Sequence, residues 1–153
     1  MSIRPATQED VPRILDLGEQ LHIESPRWSR IPFVRERAET MIRGLIAIDD
    51  GVVFVADVDG QVVGGIAGVI EQHWASTARV AHEVSFFMDR EHRGGFSACR
   101  LICALRAWGE IRGAAWLHAG TSTGVDAEMT ARLYERLGFE RCSIGLEAIY
   151  HGS

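Results

Sequence analysis

Residues 81–110 constrain the fold of this chain more than any other stretch. The first eight, Ala-His-Glu-Val-Ser-Phe-Phe-Met, are rich in aromatic and β-compatible side chains and predict a strand. A polar run at 89–92 ends that strand, and the turn Arg-Gly-Gly-Phe-Ser-Ala follows at 93–98. Apolar residues then recur with helical spacing over 98–108. The stretch therefore predicts a strand, a glycine turn and a helix in direct succession.

This succession is suited to binding an anion where the helix begins. The first N–H groups of a helix have no partner within the helix and carry a partial positive charge. Glycine lets an anion come close to the backbone, and Arg93 adds a permanent, forked positive charge. These features predict a phosphate or pyrophosphate site at residues 93–98. The alternative is an ordinary helix-start turn that contains two glycines.

The composition is that of one soluble globular domain covering residues 1–153. Hydrophobic residues make up 46% of the chain and charged residues 24%, which is unlike a disordered protein. No apolar run approaches the length of a membrane span, and the first ten residues lack the apolar core of a secretory signal. We therefore expect a cytoplasmic protein that has no membrane partner.

The net charge argues against a nucleic-acid-binding protein, and the cysteines argue against a disulfide-rich or zinc-binding one. A net charge of −5 argues against nucleic acid as a partner, because a phosphate backbone requires a basic surface. Three cysteines, at 99, 103 and 142, are too few for a disulfide scaffold, and neither they nor the six histidines show zinc-like spacing. We expect no metal site. Cys99 and Cys103 share a helix face, and we interpret them as small buried thiols, with a metal or redox pair as the alternative.

The remaining elements follow from hydrophobic periodicity and turn residues. The pattern predicts a short strand at 3–6, helices at 11–22 and 33–45, a hairpin of strands at 52–58 and 61–70, a strand at 80–88, a helix at 95–109, a strand at 114–119, a helix at 126–137 and a last strand at 139–150. Three consecutive strands with short links predict an antiparallel meander. A helix between two strands makes the strands at 80–88 and 114–119 parallel.

These elements predict an α/β (α+β) fold. Its central sheet would be mixed and mostly antiparallel, with six to seven strands and helices on both faces. A crevice is expected at the carboxyl ends of the two parallel strands, where ligands of α/β sheets bind. Tyr134 lies in the segment Arg-Leu-Tyr-Glu-Arg-Leu-Gly-Phe (132–139), and a tyrosine hydroxyl held near that crevice can protonate a leaving group.

Two motifs, at 88–98 and 133–139, resemble those of the GCN5-related N-acetyltransferase (GNAT) superfamily. The opening Ile-Arg-Pro-Ala-Thr-Gln-Glu-Asp at 3–10 is also similar to the common start of that family. The order of elements agrees over essentially the whole chain. The resemblance implies an enzyme that moves an acetyl group from acetyl-CoA to a primary amine of a small molecule or peptide by direct attack. It also implies separation of the parallel strands at the cofactor site and suggests a homodimer.

The resemblance also implies roles for particular residues. Backbone groups around Met88 would pair with the pantetheine arm, and Tyr134 would face the thioester sulfur as the general acid. Glu83, the only carboxylate inside its strand, is the candidate general base, unless it pairs with a neighbouring arginine such as Arg79. His118 is a second candidate base. The pyrophosphate would be held by Arg93, Gly94, Gly95, Phe96, Ser97 and Ala98.

One departure from the family pattern bears on function. Phe96 stands where the family has the central glycine of its phosphate loop, so its side chain must point away from the pyrophosphate or the loop must shift. A second interpretation is therefore a non-catalytic acyl-CoA-binding or protein-interaction module on the same fold. For an enzyme, we expect the acceptor to be bound by residues 22–35 and 71–78.

Overall fold

A computed structural model describes residues 1–150, and all structural statements below concern that part of the chain. It contains five strands and four α-helices. They are β1 (Ser2–Pro5), α1 (Val11–Glu24), α2 (Arg35–Ala47), β2 (Gly51–Val58), β3 (Gln61–Gln72), β4 (Arg79–Met88), α3 (Phe96–Ile111), β5 (Leu117–His118) and α4 (Ala127–Arg136). Short 3-10 turns lie at Gln8–Asp10, Trp28–Arg30 and Arg90–His92.

The strands form one sheet in the order β1-β2-β3-β4-β5. The first three pairs are antiparallel, and β4 pairs with β5 in parallel. This arrangement confirms the predicted meander and the predicted parallel pair. Asp59 and Gly60 connect β2 to β3 with φ values of 52° and 83°, the left-handed conformations that a tight hairpin of right-twisted strands requires.

Helices cover both faces of the sheet, as the sequence predicts. On one face α1 and α2 pack on Val53, Val55 and Phe87, and the completely buried Ile14 and Leu17 come from α1. The opposite face carries α3 and α4, and there the core consists of Ala56, Val63, Ile66, Met88, Leu101, Ile102, Leu105 and Tyr134. Side chains of successive strand residues point to opposite faces, so each central strand contributes to both cores.

The glycines of β3 allow its neighbours to pack closely against its backbone. A Cβ atom on Gly64 would lie 2.2 Å from the sulfur of Met88, and one on Gly68 would lie 2.5 Å from a Leu105 methyl group. These positions exclude any side chain unless the core moves. The glycines that weaken the strand pattern in the sequence therefore mark close packing.

The pairing between β4 and β5 is short, and this shapes the site. Only Ala81 with Leu117 and His82 with His118 are paired. Opposite β3, Glu83 pairs with Gly68 and Ser85 with Ala67, so Val84 is an extra residue that forms a β-bulge. Bulges bend a strand and increase its twist. From Glu83 onward β4 continues without a partner on its β5 side.

The predicted strand count of six to seven is wrong, because the predicted strand at 139–150 does not form. The segment has no regular secondary structure, and Ile144 and Leu146 are 90% and 95% exposed. The sheet ends at β5 on this side, and a two-residue strand offers too few hydrogen bonds to hold another strand. The segment is held by ion pairs of Arg141 and Glu147 instead. No helix in the described part of the chain has the length and hydropathy needed to cross a bilayer.

We expect Gly65→Ala to destabilise the protein by roughly 1–3 kcal/mol, the cost of overpacking a core. The new Cβ would lie 2.7 Å from the Phe87 ring and 3.0 Å from the Phe54 carbonyl oxygen, and the backbone atom cannot rotate away. Gly44→Ala in α2 is the control, since its Cβ meets nothing within 4 Å and alanine favours helix. Urea denaturation measures both changes. Equal stabilities of the two variants would contradict the close packing.

Candidate active site

A cavity of about 820 Å³ opens where β4 loses its partner. Its walls come from the unpaired end of β4, the start of α3, the loop after β5 and one side of α4. Six of the residues expected in the site line it, namely Glu83, Met88, Arg93, Gly94, Gly95 and Ala98. We call it the large cavity. Its size is within the range of small-molecule and cofactor sites.

The predicted anion-binding turn, residues 93–98, lies at one end of the large cavity. Gly94 has a φ of 80°, which favours glycine, and Gly95 is the N-cap of α3 and provides no side-chain cap. Within residues 1–150, the backbone N–H groups of residues 94–98 make no hydrogen bond. A 16-residue helix thus presents unpaired donors and the positive end of its dipole to the cavity.

Phe96 points away from the large cavity. Its side chain is 83% exposed, and neither Phe96 nor Ser97 is among the residues that line the cavity. The phenylalanine that replaces the family's central glycine therefore leaves the approach to the amides open. If Phe96 and Ser97 contact an anion there, they do so through backbone N–H groups.

Arg93 is bound by a residue that sequence reasoning missed, Glu24 at the end of α1. Two nitrogens of Arg93 lie 2.7 and 2.9 Å from the two Glu24 oxygens, and Arg90 lies 2.7 Å from one of them. Arg93 also donates to the Met88 carbonyl oxygen at 3.3 Å. The hydrogen bonds from Arg93 hold the pKa of Glu24 below its usual value. One carboxylate against two guanidiniums leaves a net positive charge beside the turn.

The two predicted catalytic residues are in direct contact. The Tyr134 hydroxyl donates a hydrogen bond to Glu83, although the residues are 51 positions apart. The alternative partner, Arg79, instead pairs with Asp50 and donates to the Arg112 carbonyl oxygen at 3.2 Å. Glu83 is thus hydrogen-bonded to Tyr134 and not paired with Arg79.

The surroundings of this pair are apolar, and they shift both pKa values upward. Tyr134 is 6% exposed and packs edge-to-face with Phe86 and Phe139, at centroid distances of 6.3 and 5.1 Å. Burial raises the pKa of Glu83 to about 7, although the hydrogen bond from Tyr134 opposes this shift. Burial and then the nearby carboxylate charge raise the pKa of Tyr134 well above its ordinary value.

A smaller cavity of about 610 Å³ lies on the other side of the pair. Tyr134 lines this cavity, Glu83 lines the large one, and His118 lines both. His118 stacks edge-to-face on His82 at 6.1 Å, and among the described residues its ring makes no hydrogen bond to Glu83 or Tyr134. Of the two candidate bases, only Glu83 is hydrogen-bonded to the tyrosine in the described residues.

The loop after α1 closes one side of the site. The fully buried Ser25 is hydrogen-bonded to the Thr123 carbonyl oxygen, and Arg27 donates to the Ser122 carbonyl oxygen at 2.9 Å. Trp28 lines the large cavity and also packs on the core below α1. Residues 71–78 line neither cavity. Of the two segments expected to bind the acceptor, only 22–35 lies beside the site.

A model of the acetyltransferase (GNAT) domain matches residues 49–141, well over half of the chain. The chain belongs to the GNAT acetyltransferase family. The matched residues include β4, the turn at 93–98 and Tyr134, and they leave out α1 with Glu24. A search of curated proteins finds no significant match.

Solved structures share the fold of this GNAT protein at low sequence identity. The aminoglycoside 6'-N-acetyltransferase AAC(6')-Ig of Acinetobacter haemolyticus has a TM-score of 0.75 at 16% identity, covering 100% of both chains. AAC(6')-Iy bound to the bisubstrate analogue CoA-S-monomethyl-acetylneamine has a TM-score of 0.77 at 19% identity, covering 99% of this chain and 98% of that one. Glucosamine-6-phosphate N-acetyltransferase of Arabidopsis thaliana has a TM-score of 0.75 at 17% identity, covering 98% of each chain.

We expect Glu83→Gln to stabilise the protein relative to the wild type above about pH 7, by roughly 1–3 kcal/mol. The pKa of Glu83 is raised from 4.5 to about 7 on folding, so the folded state binds the proton more tightly. Wild-type stability from this group is therefore lost as the pH rises from about 4.5 to about 7. Glutamine is neutral throughout and still accepts the Tyr134 hydrogen bond.

Urea denaturation between pH 4 and pH 8 measures this difference. The two proteins should be equally stable near pH 4, where the wild-type carboxyl is also neutral. Glu110→Gln, at an exposed position of α3, is the control and should leave the difference near zero at every pH. A difference that does not change with pH would contradict the raised pKa.

Proposed function

We propose that this protein is an N-acetyltransferase that moves the acetyl group of acetyl-CoA to a primary amine by direct attack. One observation carries the proposal. A carboxylate that lines the same cavity as the unpaired amides of α3 accepts a hydrogen bond from a tyrosine that lines the smaller cavity. A site with an anion-binding end and an acid–base pair is suited to a phosphate-bearing thioester and an amine.

The residues present are suited to a CoA thioester. The amides of residues 94–98 and the Arg93 guanidinium, held by Glu24, would bind the pyrophosphate. The unpaired edge of β4 from Glu83 to Met88 would bind the pantetheine arm as a further strand does, by backbone hydrogen bonds. Arg93 would have to release the Met88 carbonyl oxygen for that pairing to reach the end of the strand.

The chemistry needs little from the protein beyond positioning and proton transfer. Acetyl-CoA supplies the activated acetyl group. Backbone N–H groups of β4 would polarise the thioester carbonyl, and Glu83 would accept a proton from the acceptor nitrogen. Tyr134 would protonate the departing thiolate. His118 is the second candidate for the base, at the shared wall of both cavities.

The acceptor class is drawn from the neighbours and the charge of the chain. Two of the similar structures are aminoglycoside acetyltransferases, and one of them holds an acetylated neamine joined to CoA. A net charge of −5 attracts cationic molecules. We therefore propose a small-molecule or peptide amine as the acceptor. The homodimer that the family resemblance suggests stays a prediction.

We expect Arg93→Gln to weaken CoA binding by roughly 10- to 100-fold, the usual cost of losing a charged hydrogen bond to a phosphate. Isothermal titration calorimetry with CoA measures the change. Arg90→Gln is the matched control, because Arg90 binds the same Glu24 but does not line the large cavity. Equal losses in both variants would mean that only the local charge matters and that Arg93 does not bind the phosphate. No CoA binding by the wild type would overturn the cofactor assignment.

We expect Tyr134→Phe to lower kcat for acetyl transfer by about 10²- to 10⁴-fold and to leave CoA affinity nearly unchanged, since it removes the proton donor but keeps the packed aromatic ring. Release of free CoA from acetyl-CoA is followed with a panel of polyamines, aminoglycosides and short peptides. Tyr150→Phe changes the other tyrosine of the chain, which is 91% exposed, and should have no effect. Tight CoA binding without turnover of any amine would favour the non-catalytic acyl-CoA-binding module.

A further inference from the structure

We propose that Glu83 and Tyr134 form one proton relay, which carries the proton released by the acceptor nitrogen through both side chains to the leaving sulfur. The inference rests on the proposed acetyltransfer and adds to it. A separate acid and base would each exchange a proton with water. In the relay, the acid acts only after the base has acted.

The direct contact makes this order necessary. The Tyr134 hydroxyl donates its hydrogen to Glu83, so it is engaged there and is not directed at a thioester. While Glu83 is ionised, loss of the tyrosine proton would place two negative charges side by side in an apolar pocket. Burial and the charge of Glu83 together raise the pKa of Tyr134, and protonation of Glu83 removes the second of these causes.

The steps balance in atoms and electrons. The neutral amine attacks the thioester carbon, a C–N bond forms, and the nitrogen becomes positively charged. The nitrogen then loses one proton to the Glu83 carboxylate. In one further step the C–S bond breaks, the Tyr134 hydroxyl gives its proton to the sulfur, and the Glu83 carboxyl gives its proton to the tyrosine oxygen. Free CoA leaves as the thiol, and the pair is restored with no net proton taken from water.

The surroundings of Glu83 and Tyr134 favour proton transfer between these two side chains. Phe86 and Phe139 pack on the tyrosine ring and keep that side apolar. In the described part of the chain, Tyr134 is the one side chain hydrogen-bonded to Glu83. The other charged or titratable side chains that line the large cavity belong to β5, α3, α4 and the turns before α3 and α4. They are His118, Arg93, Cys99, Asp126, Glu128, Arg132 and Arg136.

The first experiment is a kinetic double-mutant cycle with Tyr134→Phe, Glu83→Gln and the double variant. Glutamine keeps an oxygen that accepts the tyrosine hydrogen bond but cannot carry a proton, so it separates position from proton transfer. Because each change breaks the same chain, we expect the double variant to lose about as much kcat as the more severe single variant. Losses that multiply would mean an independent acid and base and would overturn the relay while leaving the acetyltransferase intact.

A solvent-isotope measurement separates the relay from a shared structural role. The rate of wild-type transfer is measured in mixtures of H₂O and D₂O at saturating substrates. Two protons in flight give a curved dependence on the deuterium fraction, and each single variant should give a smaller, linear dependence. A linear dependence in the wild type would contradict the relay, whatever the double variant does. The control variants Tyr150→Phe and Glu110→Gln should both retain the curved dependence of the rate on the deuterium fraction.

The last measurement does not depend on turnover. The Glu83 carboxyl is titrated by carbon NMR in the wild type and in Tyr134→Phe. The tyrosine hydrogen bond favours the charged carboxylate, so its removal should raise the pKa of Glu83 above the wild-type value of about 7. An unchanged titration would show that the two groups are not coupled and would overturn the relay. A coupled titration in a protein that turns over no amine would overturn the proposed function instead.

Discussion

The separation of β4 from β5 after two paired residues is the constraint on which the site depends. Ala81 and His82 bind β5, and the bulge at Val84 turns the rest of β4 away from it. A strand edge left unpaired inside a protein has donors and acceptors that need partners. Here that edge faces a cavity of about 820 Å³, whose far wall is the start of α3. The gap in the sheet is thus what makes room for a ligand.

Two groups of charged or polar side chains lie beside this cavity, and they differ in their electrostatics. Near the turn at 93–98, Glu24 is paired with two arginines, and the hydrogen bonds from Arg93 lower the carboxyl pKa although burial opposes this shift. In the other group, Glu83 faces a tyrosine and aromatic rings, where burial raises the carboxyl pKa to about 7. The first arrangement is suited to holding charge, and the second to moving a proton at neutral pH.

Much of the site could be predicted because it lies in one continuous stretch. The strand, turn and helix from Ala81 to Glu110 place Glu83, Met88 and Arg93 on one edge by local geometry alone. Periodicity and a glycine turn are local signals, and local signals are what a single sequence carries. Glu24 was missed for the opposite reason. It is 69 residues from Arg93, at the end of a helix with no spacing that points to the site.

The predicted strand at 139–150 shows the same limit of prediction from local signals, because here a local pattern predicts an element that does not form. Residues 139–150 alternate apolar side chains as a strand does, but a strand forms only where a neighbour offers an edge. The two-residue β5 does not offer one, and Ile144 and Leu146 remain exposed. Sequence pattern gives the tendency of a segment, whereas hydrogen-bonding partners decide whether the strand exists.

The sequence by itself determined the order of elements through α4 and the parallel strand pair, which rest on residue type and spacing. Its resemblance to the GNAT family led to the choice of Tyr134 and Glu83 as candidate catalytic residues. Only the tertiary structure decided that the tyrosine and the carboxylate touch, that Phe96 points to solvent and that Arg93 binds Glu24. The physical reason is that contacts between residues dozens of positions apart depend on how strands bend and helices pack. No local pattern encodes that geometry.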